Sequence, residues 1–323
     1  MHNINSMMYT GAVPWHGLGK KLDHVATAAE AIQAAGLDWK VSKVPMFLKD
    51  GRQVPSRWAN LREDSQDILG TVGDVYTVLQ NREAFSFFDA IVGLKEAIYH
   101  TAGALGLGEK VWILAKLPGQ VKVTSEDVTD KFLLLTNTHD GSGAVSVMFT
   151  PIRVVCQNTL NIAMAAGSRK QKVRHTASMG LQVRNIQEGL GIVNQQFQAF
   201  EEAARALTGV QVNGEKWKAY LKDLGIIPAE ATSGTIGQSR MSTRAQNIIE
   251  EVTSFFEHGK GQQLPGVRGT AWAAFNAIGE YVDYARTARG GASPLQARAS
   301  SLLFGSGQAL KQKAWDGAVA LIA

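Results

Sequence analysis

The sequence is poor in several features that mark familiar protein classes. Its 323 residues include one cysteine, Cys156, so no disulfide can form within the chain and we expect a reducing compartment. No apolar run approaches the roughly 18 residues that a membrane-spanning helix requires. The opening stretch MHNINSMMYTGAVPW lacks the basic and apolar regions of a secretory signal. We therefore expect a cytoplasmic protein with no membrane partner.

Motifs for catalysis and metal binding are also scarce. The chain has no zinc-finger spacing, no HExxH pair and no G-x-S-x-G elbow. The stretch GALGLGEK at 103–110 leads into the apolar run VWILAKL, which indicates a glycine-rich turn and not a phosphate loop before a helix. We predict no enzyme, no cofactor and no metal. A metal site assembled from Asp127, Asp130 and Asp140 stays open, although turn chemistry explains Asp140 equally well.

Acidic residues are missing from one long window. Between Asp140 and Glu188 there is no Asp or Glu, while six cationic residues occur there. The segment AGSRKQKVRHTAS at 166–178, called the basic segment below, holds most of them. Positive charge without local cancellation favours a polyanionic partner, and the net charge of +5 is compatible with one. The alternative is pairing with distant acids, for which Glu201, Glu202 and Glu250 are candidates. The six cations are Arg153, Arg169, Lys170, Lys172, Arg174 and Arg184.

The candidate nucleic-acid contacts follow from this window. If KVRHT is a strand, Lys172 and Arg174 face one side and Val173 and His175 the other. In the stretch PWHGLG a large aromatic pair lies on a loop, where it can stack on a base or fill the core. The predicted phosphate contacts are Arg153, Arg169, Lys170, Lys172 and Arg174, and the predicted base contacts are His175, Trp15 and His16.

The pattern of apolar residues predicts an α+β fold. A mixed domain, residues 1–184, contains an antiparallel β-meander of four strands, split at GLGEK and HDGSG. A short helix at about 157–166 precedes the basic segment. Residues 185–323 form a mainly helical region, with helices at 243–258, 270–288 and 308–322.

Several motifs carry a resemblance to a known family. PWHGLG, RVVCQNTL followed by RHT, GTAWAAFNAIGEYVDYAR and LFGSG resemble the phage/plasmid-like protein family of unknown function, over roughly Trp15 to Leu310. That family occurs on phages, prophages and conjugative plasmids, which implies a role in DNA metabolism or host takeover inside a bacterium. No catalytic residues come with it. The order of four strands, helix and basic segment is also similar, in topology only, to Rad52-type annealing proteins.

The function that these observations favour is binding of single-stranded DNA, extended to strand annealing in recombination by a homo-oligomeric ring or filament. The alternative is a non-enzymatic phage assembly protein or a protein that binds a host factor. A metal-dependent enzyme acting on nucleic acid is the third hypothesis.

Overall fold

The computed structural model describes residues 4–10, 19–92, 98–153, 158–159, 171–176, 190–228, 241–287, 297–298, 301–303 and 305–322. The fold is α+β, with antiparallel sheets and with helices in the C-terminal half, as predicted. Within these ranges, none of the helices is both long and apolar enough to cross a bilayer.

The strands and helices are numbered separately in chain order. The strands are β1 Ile4–Thr10, β2 Lys20–Leu22, β3 Val41–Phe47, β4 Gln53–Arg62, β5 Ile68–Val72, β6 Ile98–Leu105, β7 Lys110–Lys122, β8 Val128–Thr138, β9 Val145–Arg153, β10 Asn158–Thr159 and β11 Gln171–Val173. The helices are α1 Ala28–Ala34, α2 Asn81–Val92, α3 Leu190–Thr208, α4 Gly214–Asp223, α5 Thr243–His258, α6 Ala271–Glu280 and α7 Ser306–Ala320, and a π-helical turn at Tyr281–Ala285 continues α6.

The main sheet is built on the predicted meander. Strands β6, β7, β8 and β9 pair in sequence, each antiparallel to the next. The turns fall at GLGEK and HDGSG because glycine there adopts positive φ, as at Gly108 (φ 122°) and Gly141 (φ 75°). The sequence did not predict the far edge, where β1 pairs antiparallel with β6 and parallel with β2.

The near edge of the main sheet carries an interrupted strand. Both β10 and β11 pair antiparallel with β9, with Thr159 opposite Ile152 and Gln171 opposite Val147. They therefore follow one line along β9, with residues 160–170 between them. The helix predicted at 157–166 is wrong at residues 158–159, whose backbone pairs with the open edge of β9. Its remaining residues lie outside the described ranges.

A second, three-stranded sheet joins β3, β4 and β5, all antiparallel. It meets the main sheet where Gly70 of β5 touches the backbone of Asp140, just after β8. The nearby helix α1 begins with a capping box, in which the Thr27 side chain accepts the Glu30 N–H and the Glu30 carboxylate accepts the Thr27 N–H.

The two larger of three apolar clusters within the described ranges lie against the main sheet. One packs α1 and α2 against side chains such as Ile113 and Leu135. The other joins the C-terminal helices to the sheet, where the Phe149 ring of β9 meets Phe197 of α3 with ring centroids 4.2 Å apart. Four aromatic residues that lie in apolar runs of the sequence are buried, namely Tyr99, Trp112, Phe132 and Phe149.

Candidate nucleic-acid interface and the polar cluster beneath it

Arg153 does not fit the predicted role of a phosphate contact. Its side chain is fully buried, and its Nε and Nη2 atoms donate to the Asp127 carboxylate at 2.6–2.9 Å. Pairing of β8 with β9 places Thr129 opposite Arg153, and this brings Asp127 alongside. The guanidinium is thus neutralised inside the protein and cannot reach a nucleic acid on the surface.

The buried pair also connects the sheet to the helical layer. The indole Nε1 of Trp272 in α6 donates to the Asp127 carboxylate at 2.7 Å. Arg153 donates to the backbone oxygens of Gly261 and Lys260 at 2.9 and 3.2 Å, before α6 begins. These contacts meet the hydrogen-bonding needs of a buried ion pair, and they fix the end of β9 against the helices.

The described part of the basic segment lies on the sheet edge. Lys172 is opposite Ser146 in the β9–β11 pairing. Arg174, the next cation, is exposed and forms no ion pair within the described part of the chain. Glu201, one of the suggested neutralising acids, pairs with Arg205 on its own helix at 2.5 Å. Arg169, Lys170 and Arg184 lie outside the described residues, as do Trp15, His16 and Cys156.

His175 does not fit the predicted role of a base contact, because it points inward. Only 6% of the residue is exposed, and its ring stacks on Tyr76 with centroids 4.5 Å apart. Nδ1 of His175 donates to the Thr77 carbonyl oxygen at 3.0 Å, and the Thr77 N–H donates to the His175 carbonyl oxygen at 3.0 Å. His175 therefore attaches the end of the basic segment to the chain just before α2.

A buried polar cluster lies beneath this attachment, around His139 after β8. Nε2 of His139 is 3.0 Å from the Asn81 side-chain oxygen at the start of α2, and Asn60 of β4 donates to the His139 carbonyl oxygen at 2.6 Å. The Tyr76 hydroxyl donates to the Thr138 carbonyl oxygen at 2.9 Å. Burial lowers the pKa of His139 to about 3 and raises the pKa of the Tyr76 phenol, so both are neutral at pH 7.

The tautomers of the two histidines follow from their partners. The Asn81 oxygen and the Thr77 carbonyl oxygen can only accept hydrogen bonds, which places the proton on Nε2 of His139 and on Nδ1 of His175. The Asn137 amide nitrogen lies farther from His139 Nε2, at 3.4 Å, and donates to the Leu79 carbonyl oxygen at 3.2 Å. The other ring nitrogen of each is buried without a partner in the described chain. Four neighbouring side chains also bury an unpartnered atom, and groups of this kind ordinarily bond to ordered water. These atoms are Asn60 Oδ1, Asn137 Oδ1, Thr138 Oγ1 and Trp39 Nε1.

Sequence reasoning missed this cluster because its members are spread over β4, β8, α2 and the segments that connect such elements, and they form no short motif. Two polar residues next to apolar runs could have indicated the cluster. Asn137 lies near the end of an apolar strand, and Asn81 is the first residue of an apolar helix. Both are at most 1% exposed. Buried polar residues of this kind are normally hydrogen-bonded, and so they indicate a network.

The three carboxylates proposed as metal ligands have separate partners. Asp127 pairs with Arg153, Asp130 accepts from Lys116 at 2.7 Å, and Asp140 accepts the Ser142 N–H at 2.8 Å in a turn. Over the residues that the structure describes, no group of three or more His, Cys, Asp or Glu side chains could hold a metal ion.

Comparison with known proteins identifies the family of this chain. The family model described as Domain of unknown function (DUF932) matches residues 68–303, well over half of the chain. The chain belongs to the DUF932 family. No curated protein and no solved structure matches it. The resemblance to a family of unknown function is thus confirmed at that level, whereas its phage and plasmid setting stays a prediction. The DUF932 match includes the meander, the basic segment, His139 and α6, whereas Asn60 and Trp39 of the His139 cluster precede it.

Proposed function

We propose that this DUF932 protein binds single-stranded DNA through the basic segment. The observation that carries the proposal is an acid-free run of cations attached to the edge of a sheet, with Arg174 exposed and without an ion pair in the described chain. The phosphate contacts in this proposal are Arg169, Lys170, Lys172 and Arg174, and Trp15 and His16 remain the candidates for base stacking.

The attachment supports binding for a physical reason. Pairing of β11 with β9 and the contacts of His175 fix both sides of Arg174 before any ligand arrives. A cation that is already ordered loses less conformational entropy on binding than one on a free chain. Phosphate neutralisation also releases condensed counterions, which supplies sequence-independent affinity.

Titration of a fluorescent single-stranded oligonucleotide at about 50 mM and about 200 mM salt tests the proposal. We expect affinity to fall steeply with salt, and Arg174→Ala to weaken binding and reduce the log–log salt slope by about 0.7. Lys218→Ala, which removes an exposed cation of α4, is the matched control and should leave the slope unchanged.

Absence of binding at the lower salt concentration would overturn the proposal. Retention of a host protein in stoichiometric amount, together with no DNA binding, would instead favour the host-factor alternative.

The proposal extends from binding of single-stranded DNA to the annealing of complementary strands. The predicted order of four strands, a helix and the basic segment suggested it. The helix is wrong at residues 158–159, so the meander and the basic segment are what support annealing. Annealing by a ring or filament requires self-association. We propose that the protein forms such an oligomer on single-stranded DNA, and electron microscopy with and without an oligonucleotide tests this. Monomers in both samples, with no faster pairing of complementary strands, would remove annealing and leave only DNA binding.

A further inference from the structure

Near its end, the basic segment is attached to the chain before α2 by reciprocal contacts. We call the residues that make these contacts the His175 clasp. It consists of Tyr76, Thr77 and His175. Two hydrogen bonds, each 3.0 Å, join Thr77 and His175 in opposite directions, and the Tyr76 ring stacks on the imidazole with an interplanar angle of 18°. Arg174 immediately precedes the clasp and is exposed. Together with the pairing of β11 and β9, the clasp therefore holds Arg174 in position at the sheet edge.

We infer that the His175 clasp is a pH-dependent device that holds Arg174 in position and opens when His175 is protonated. A second part of the inference rests on the proposed function. In that part, the position of Arg174 available to nucleic acid changes between about pH 5 and about pH 7.

The described surroundings of His175 offer no acceptor for a second ring proton. Nε2 is buried and has no partner among the described residues, so an added N–H would find no acceptor among them. Burial also lowers the pKa of His175 below its ordinary value of 6.5, and the hydrogen bond to Thr77 opposes this only in part. Since the folded pKa is the lower one, the closed clasp is fully stable above about pH 6.5 and loses stability as the pH falls.

The other charged and titratable groups around the clasp do not reverse this direction. His139, which faces it from the end of β8, is neutral because its pKa is about 3, and the Tyr76 phenol is neutral as well. Arg174 precedes His175 and would repel an added positive charge. The remaining neighbours are held by other partners: Asp140 by the Ser142 N–H, Asp74 by Trp58 Nε1, and Lys43 by the Asp74 and Tyr76 carbonyl oxygens.

Amide hydrogen exchange at Thr77 measures the clasp directly, because this N–H donates to His175. The protection factor, corrected for intrinsic exchange, is compared at about pH 7.5 and about pH 5.5 in the full chain without DNA. In the native protein we expect protection to fall by about fivefold or more at the lower pH, the effect of losing one ordinary hydrogen bond.

Two substitutions separate protonation from simple loss of contact. His175→Asn keeps an N–H donor near the position of Nδ1 but cannot be protonated, so its protection should be independent of pH. His175→Ala removes both the donor and the stacked ring, so protection should be low at both pH values. His24→Ala, which changes an exposed histidine paired with Glu30, is the control and should behave as the native protein does.

The inference fails if His175→Asn loses protection at low pH as the native protein does, or if His175→Ala stays protected. Oligonucleotide affinity at the two pH values then tests the link to DNA. If the clasp opens and neither pH gives binding, the proposed function is wrong and the clasp stands. If binding occurs with the same pH dependence in His175→Asn, the clasp does not control it.

Discussion

At the scale of single residues, His139 makes the free energy of unfolding depend on pH. Its pKa is about 3 in the folded chain and 6.5 in an ordinary environment, because burial disfavours the charged ring. Below pH 6.5 the unfolded chain therefore binds a proton that the folded chain refuses. Stability is full above about pH 6.5 and falls by up to about 1.4 kcal/mol per pH unit as the pH drops toward 3.

Urea denaturation at a series of pH values checks this effect. His139→Gln should be less stable at pH 7, because the hydrogen bond to Asn81 is disturbed. Between about pH 6 and about pH 4 its free energy of unfolding should fall less steeply than that of the native protein, by the slope that the uptake of one proton produces. His24→Gln changes an exposed histidine and should keep the native slope. An unchanged acid slope in His139→Gln would show that His139 already takes up protons in the folded chain.

The sequence shows which residues are charged or aromatic, but it does not show the role that each of them has in the folded protein. The charge of Arg153 and the lack of acids near it along the chain were plain from the sequence. Its partner, Asp127, lies 26 residues earlier and becomes a neighbour only through the pairing of β8 with β9. Counting acidic residues within a segment of the sequence leaves out acids on a neighbouring strand, which can neutralise the same cation. The same limit applies to His175, whose partners Tyr76 and Thr77 are about a hundred residues away.

At the scale of elements, Gly70 joins the three-stranded sheet to the loop after β8. A Cβ added there would lie 2.5 Å from the Asp140 Cα, whereas a Cβ at Gly73 would meet nothing within 4 Å. We expect Gly70→Ala to lower the free energy of unfolding by about 1–3 kcal/mol, because backbone must move to relieve the overlap. Gly73→Ala should change it by less than about 0.5 kcal/mol.

Thermal denaturation of the two glycine variants measures the difference. Equal midpoints for Gly70→Ala and Gly73→Ala would mean that the loop at Asp140 moves aside without cost, and that the two sheets are not in firm contact at this position.

The elements that the sequence predicted best are those that local rules specify. The turns of the meander and the helix at 243–258 both depend on residues within a few positions of one another. Placement of β1 beside β6 and the separation of β3–β5 into their own sheet depend on contacts far along the chain. Such pairings are not encoded in any short pattern, and so they were not predicted.

At the scale of the whole molecule, the Arg153–Asp127 pair links the sheet to the helical layer through Trp272. Removing one member leaves the other charged and buried, so Asp127→Asn should destabilise the protein by about 3–5 kcal/mol. Asp50→Asn removes the corresponding partner of an exposed pair with Arg52, at a similar distance of 2.7 Å, and should have no measurable effect.

Calorimetry distinguishes loss of stability from loss of coupling. If the pair couples the layers, Asp127→Asn should broaden or split the unfolding transition, while Asp50→Asn keeps the native profile. A single sharp transition at the native midpoint in Asp127→Asn would contradict a linking role for the pair.

The interrupted edge strand has a consequence for how sequences of this kind can change. Thr159 and Gln171 pair with β9 residues five positions apart, a span of about 17 Å, whereas the chain between them could extend to about 40 Å. Residues can therefore be added, removed or exchanged between these two anchor points without shifting the register on either side. The pairings at both ends would then hold the sheet edge in place while the sequence between Thr159 and Gln171 changes.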